Sequence, residues 1–137
     1  MIMRICVAVL RGSAMLSWVL GILFWTGNAD SFVPLHIALG VLMTLSLWGA
    51  GLLVGTREGG SPGLMISAFV LGLIVIFFGL NQQTFLVCSL HWIIQVLHML
   101  LGISSVILAI PIARHYKAAQ AAQITSRPLL QGQVDSK

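Results

Sequence analysis

The sequence predicts an all-α fold, a polytopic membrane protein built as a four-transmembrane-helix bundle, and three observations predict it. Apolar residues make up 58% of the chain and charged ones 7%, and the mean hydropathy is +1.03, far from the composition of soluble domains. The apolar residues gather into four stretches, each close to the roughly 20 residues that a helix needs to cross hydrocarbon. All seven Lys and Arg residues fall on one side of the topology that those stretches define. Residues 1–117 are thus read as one transmembrane domain and 118–137 as a polar tail.

The first span runs from Ile5 to Gly27. Arg11 interrupts it and is placed to snorkel toward the interface, leaving an apolar centre from Ser13 to Trp25. The basic start at Arg4 has the look of a cleavable signal, but Arg11 breaks the apolar run and no A-x-A site follows. The second span, Phe32 to Val54, is preceded by Asn28-Ala29-Asp30-Ser31, which offers N-cap side chains, and has Pro34 in its first turn. Ser61-Pro62 opens the third span, Pro62 to Leu80, in the same way, with Gly59, Gly60 and Gly63 loosening the turn and Asn81-Gln82-Gln83 closing the apolar run. The fourth, Leu90 to Ile112, follows Thr84 to Ser89, either a surface segment or the start of an overlong tilted helix. In the tail, Ala118 to Gln123 can prolong this helix into water, and the remainder is expected to be mobile.

Charge orients the bundle. Arg4, Arg11, Arg57, Arg114, Lys117, Arg127 and Lys137 share one face. By the positive-inside rule both termini are cytoplasmic, and the turns near Asp30 and Gln82 face outward. The expected location is a bacterial-type inner membrane, crossed four times, with the lipid bilayer as principal partner. The net charge of +4 is a topology signal and carries no implication for nucleic acid. Arg114, Lys117 and Arg127 can also touch anionic headgroups. The three carboxylates, Asp30, Glu58 and Asp135, all lie outside the spans. Hydrolytic acid–base chemistry therefore finds no paired groups in the membrane. Cys6 and Cys88 belong to opposite ends of the bundle, too far apart for a disulfide, and Cys88-x-x-His91 lacks two further metal ligands.

Two copies of one phrase carry the functional signal. Leu35-His36-Ile37-Ala38-Leu39-Gly40 and Leu97-His98-Met99-Leu100-Leu101-Gly102 each set a histidine four residues before a glycine. An ionisable side chain within a span is a candidate functional group. The second and fourth helices run in the same direction, and their histidines differ in depth by about 7 Å at 1.5 Å per residue. Residues four apart share a helix face, so Gly40 and Gly102 are expected to leave a hollow beside each imidazole. His91, Gln95, His98, Gly102 and Ser105 make one polar or small stripe on the fourth helix, and His36, Gly40, Met43, Thr44 and Gly51 a weaker one on the second. His91 and His115 are 24 residues apart, about 36 Å on a straight helix, and cannot share a ligand. Three readings of the pair stand at this point. His36 and His98 ligate haem iron; or they are hydrogen-bonded packing residues; or they face a quinone or a bare metal ion. Met43 and Met99 are further candidate axial ligands. Gly51-x-x-x-Gly55 and Ala68-x-x-x-Gly72 are read as plain packing motifs. Val19-Leu20-Gly21 echoes Val70-Leu71-Gly72, and Gly27 echoes Gly79, which suggests two parallel two-helix repeats about an axis along the membrane normal.

With its four-span layout and the His36 and His98 phrases, the chain resembles the small four-helix membrane cytochromes b, in which histidines from different helices ligate haem and exchange electrons with quinones or redox partners. His91-Trp92-x-x-Gln95-x-x-His98 is also similar to segments of small uncharacterised bacterial membrane proteins. The resemblance implies one haem b between the second and fourth helices, with His36 and His98 as iron ligands. Gly40, Gly102 and Gln95 would border the cofactor, and Thr44 and Trp92 would support it. Two-haem members need four paired histidines, which His91 and His115 cannot supply, so electron transfer near the outer face is the implied role. The alternatives are a non-redox accessory or assembly subunit of a larger membrane complex, and a quinone-binding subunit without haem.

Overall fold

A computed structural model describes residues 1–27, 30–82, 84–85 and 89–134, with the backbone alone for residues 30 and 126–134. Four helices dominate: α1 (Ile2–Trp25), α2 (Val33–Gly55), α3 (Pro62–Asn81) and α4 (His91–Val134), with a single 3-10 turn (Asp30–Phe32) before α2. No strand occurs among the described residues. All four helices are long and apolar enough to cross a membrane. The chain is a multi-pass, all-α membrane protein.

Local chemistry explains each boundary. α1 stops at Trp25 because Thr26 turns its hydroxyl onto the Leu23 carbonyl at 2.7 Å and Gly27 takes φ +72°, a left-handed conformation that favours glycine. The side-chain cap expected for α2 is not made as predicted. The N-cap is Phe32, which has no side chain to accept a bond, and the 3-10 turn leads into the helix instead, with Pro34 in the first turn as expected. Asn28 and Ala29 lie outside the described residues. α3 begins as predicted: Ser61 Oγ accepts the Leu64 amide at 3.4 Å and Pro62 occupies the first helical position. The turn before it is tight enough that Ser61 N–H reaches the Val54 carbonyl at 3.1 Å. Gly59 supplies φ +68° there, and a side chain at Gly60 would run into the Val54 carbonyl oxygen.

α4 passes its predicted end at Ile112 and continues to Val134. It runs through Pro111, an interruption of a kind that membrane helices tolerate. Beyond the span, an alanine-rich stretch favours helix, and Arg57 in the α2–α3 turn clasps it. The Arg57 guanidinium lies 4.7 Å from the Tyr116 ring centre and donates to Gln123 Oε1 from Nε at 3.2 Å and from an Nη at 2.9 Å.

The helices pack in cyclic order, α1 on α2, α2 on α3, α3 on α4 and α4 on α1, and α2 also touches α4 across the diagonal. The close α2–α3 contact uses the two small-residue motifs. An added methyl at Gly51 would sit 2.8 Å from Ala68 Cβ, and one at Gly55 would strike Met65, so backbones approach there as small residues allow. The dense core lies at the Arg57 end, where Leu10, Leu47, Ala50, Val54, Ala68, Ala109 and Ile112 are fully buried. The opposite end, where α2 and α4 begin, is built around cavities.

Candidate functional site

His36 lies one turn into α2, and His98 two turns into α4. Both helices start at the same end and touch diagonally, so the two imidazoles face each other across the bundle. Their ring centres are 6.2 Å apart and their planes are inclined by 59°. The edge of Phe24 on α1 meets the His36 ring at 5.4 Å and 77°. Each ring also has a glycine beside it from the helix that precedes its own. A methyl at Gly21 on α1 would lie 4.0 Å from His36 Cε1, and one at Gly79 on α3 would lie 3.1 Å from His98 Cε1. The first is ordinary contact; the second leaves no room for a side chain unless His98 moves.

The pair stands between two adjoining cavities. One, of about 150 Å³, opens toward α1 and is bounded by Ser17, Trp18, Gly21 and Gly102. The other, of about 380 Å³, opens between α2 and α3 beside Ile37, Val41, Ile76 and Gly79. Phe24, His36, Gly40, Gln82, Gln95 and His98 border both. Together they fall in the size range of cofactor sites, roughly 300–1,000 Å³. Their walls are mainly apolar, with a few convergent polar groups, as such sites require.

Hydrogen bonding within the chain leaves this site incomplete. His36 Nδ1, His98 Nδ1 and Ser17 Oγ are buried and have no partner among the described residues. Such a group costs about 1–3 kcal/mol, a cost that a ligand or water relieves. The packing-histidine reading predicts imidazoles bonded across helices; neither Nδ1 makes such a bond, while the His36 ring interacts with the Ser17 backbone of α1.

The predicted site residues divide. His36, His98, Gly40 and Gln95 border both cavities as expected, and a methyl at Gly40 would meet nothing within 4 Å, the expected hollow. Gly102 borders the smaller cavity, but its hollow is narrowed by α1, whose Trp18 indole Nε1 would be 3.3 Å from a methyl there. Met43 and Met99 border the smaller cavity. Thr44 is turned away. Its hydroxyl donates to the Gly40 carbonyl at 3.0 Å and its methyl faces Gly72 on α3. Ser105 is spent similarly, on the Leu101 carbonyl at 3.1 Å. Trp92 is half exposed and borders neither cavity. His91 sits at the rim of the larger cavity, its Nδ1 3.3 Å from the Phe85 carbonyl oxygen. His115 is exposed, well down α4 past Ile112. Cys88 lies outside the described residues.

Sequence reading missed Ser17, Trp18, Gly21, Phe24, Gly79 and Gln82. A signal existed on α1, where Ser13, Ser17 and Gly21 recur every fourth residue and so share one face. The sequence echo also paired the wrong glycines. Gly72 packs on Thr44 and Trp48 of α2, and Gly27 is in a turn with open space around it. By surroundings, Gly21 corresponds to Gly79, each beside the histidine of the following helix.

The donor set bears on what fits. No group of three or more His, Cys, Asp or Glu side chains converges among the described residues. Two imidazoles on opposite sides of one metal, each with a metal–nitrogen bond of about 2 Å, have ring centres roughly 6 Å apart. The observed 6.2 Å is close to that value and also within the range of an ordinary packed ring pair. Comparison with protein-family models, with curated proteins and with solved structures finds no match.

Proposed function

We propose that this chain is an integral membrane haem b protein that transfers electrons near the outer face, with one haem held between α2 and α4 by His36 and His98. The observation that carries the reading is the facing pair of imidazoles, 6.2 Å between ring centres, flanked on both sides by cavities. An organic ring stacked between them, as a quinone would be, needs about 3.5 Å on each face and near-parallel planes. The 59° inclination favours a metal over that arrangement.

Bound haem would supply one-electron chemistry at its iron. The chain's own residues do the rest. His36 and His98 would hold the group, Gly40 leaves the hollow beside His36, and Gly79 lies against the His98 ring. Leu10, Leu47, Val54 and Ile112 fill the bundle beyond the site, so polar access lies only at the end where α2 and α4 begin. The positive-inside rule assigns that end to the outer face. Electrons would therefore be exchanged with an outer redox partner or with the membrane quinone pool, without crossing the bilayer through this chain. The test is a reduced-minus-oxidised spectrum of the purified protein and of its His36→Ala and His98→Ala variants. A b-type spectrum lost in both variants supports the reading, and one retained in either overturns the paired ligation.

A further inference from the structure

The two cavities are unequal in polarity along the bundle. Toward the Arg57 end they close on Met43 and Val75, above a mainly apolar core whose buried polar side chains are Ser13, Thr44 and Ser105, the last two with hydroxyls committed to their own helix. At the opposite end Gln82, His91 and Gln95 gather at the rim of the larger cavity. The connections at that end, residues 26–32 and 82–90, contain no Lys or Arg. An amphipathic ligand is therefore received in one orientation, apolar edge inward and polar edge at this rim. Haem is such a ligand, since its macrocycle carries two carboxylates on one edge.

We infer that Gln82, His91 and Gln95 form a carboxylate-binding rim that takes the acidic edge of the flat ligand and fixes its orientation between His36 and His98; the inference rests on the haem reading. The carboxamides of Gln82 and Gln95 offer N–H donors without adding charge. His91 is held in place through Nδ1, 3.3 Å from the Phe85 carbonyl oxygen, and Phe85 is itself fixed by the rings of Phe77 and Phe78, with centres 6.0 and 5.9 Å away. With Nδ1–H given to that carbonyl, Nε2 accepts from a carboxylic acid O–H when the ring is neutral and donates to a carboxylate only when both nitrogens carry a proton. With no Lys or Arg in the connections at this end, the rim offers carboxylates the N–H donors of Gln82 and Gln95, and His91 adds one in its doubly protonated form. His91 acquires a role that its distance from His115 had left open.

The test compares haemin with haemin dimethyl ester, whose carboxylates are masked, in titrations of the purified full chain in detergent. Wild type should bind the free acid on the order of 10-fold tighter than the ester, the size of a hydrogen bond to a charged group. In the Gln82→Leu/His91→Leu double variant that ratio should fall toward one, and in the His91→Gln variant, which keeps an N–H donor, it should fall less. A wild-type ratio near one, or a ratio unchanged in both variants, overturns the inference. The haem reading is judged separately, by whether the ester gives a low-spin bis-imidazole spectrum with wild type. If neither the acid nor the ester does so, that reading fails and takes the rim with it.

Discussion

Gly79 lies against the His98 ring so closely that a Cβ there would be 3.1 Å from Cε1. To admit a Cβ there, the imidazole would have to give by a few tenths of an ångström. Gly21 stands in the same relation to His36 with more room, at 4.0 Å. Gly79→Val should push His98 off its partner, giving a five-coordinate, high-spin spectrum or loss of haem. Gly21→Ala should leave the low-spin spectrum intact. Electron paramagnetic resonance of the oxidised proteins separates the two cases.

The proposed ligation by His36 and His98 predicts an asymmetry among three of the histidines. His36→Ala and His98→Ala should each abolish the low-spin b-type spectrum, whereas His115→Ala, on the exposed continuation of α4, should retain it. Haem content per chain, read by pyridine haemochrome, is the check.

Glycines of the two kinds should respond in opposite ways. Gly51→Leu forces a side chain into Ala68 and Met65 and should destabilise α2–α3 packing by about 1–3 kcal/mol or more, with or without haem. Gly40→Ala meets nothing within 4 Å and should leave the apoprotein's stability unchanged while weakening haem retention, because it intrudes on the hollow. Unfolding in mixed detergent, followed with and without haemin, reports both effects.

At the far end, Arg57 joins the α2–α3 turn to α4 through Tyr116 and Gln123. Arg57→Ala removes a cation–π contact worth about 0.5–1 kcal/mol and two hydrogen bonds from a charged donor. Amide exchange over 118–125 should accelerate on the order of 10-fold, while exchange around His36 and His98 stays unchanged. Equal protection of 118–125 in both proteins would show that the helix stands without the clasp.

The spans were legible because apolar runs and their punctuation are local properties. Ser61 and Pro62 start α3 in the sequence and in the structure alike. The cap of α2 was not, since the chain enters through a 3-10 turn ending on Phe32, a choice that no single residue type dictates. The continuation of α4 was legible through Ala118 to Gln123, but the contacts that Arg57 makes with it were not, since long-range contacts leave no periodic trace. In the site, His36 and His98 were legible as a repeated phrase, and Gly40 and Gln95 as members of their stripes. Gly21, Gly79, Phe24 and Trp18 were not, because they act across helices from positions whose own neighbours are ordinary. Gly102 shows the same limit. A glycine four residues from a histidine implies a hollow only if the facing helix leaves it empty, and here Trp18 narrows it.

The central claim is that His36 and His98 share one haem iron. It is tested most directly by purifying the full chain in detergent after expression with ample haem, and recording a reduced-minus-oxidised spectrum alongside haem stoichiometry. The account predicts a low-spin b-type spectrum at about one haem per chain. A flat spectrum from folded protein that also fails to take up added haemin would contradict it.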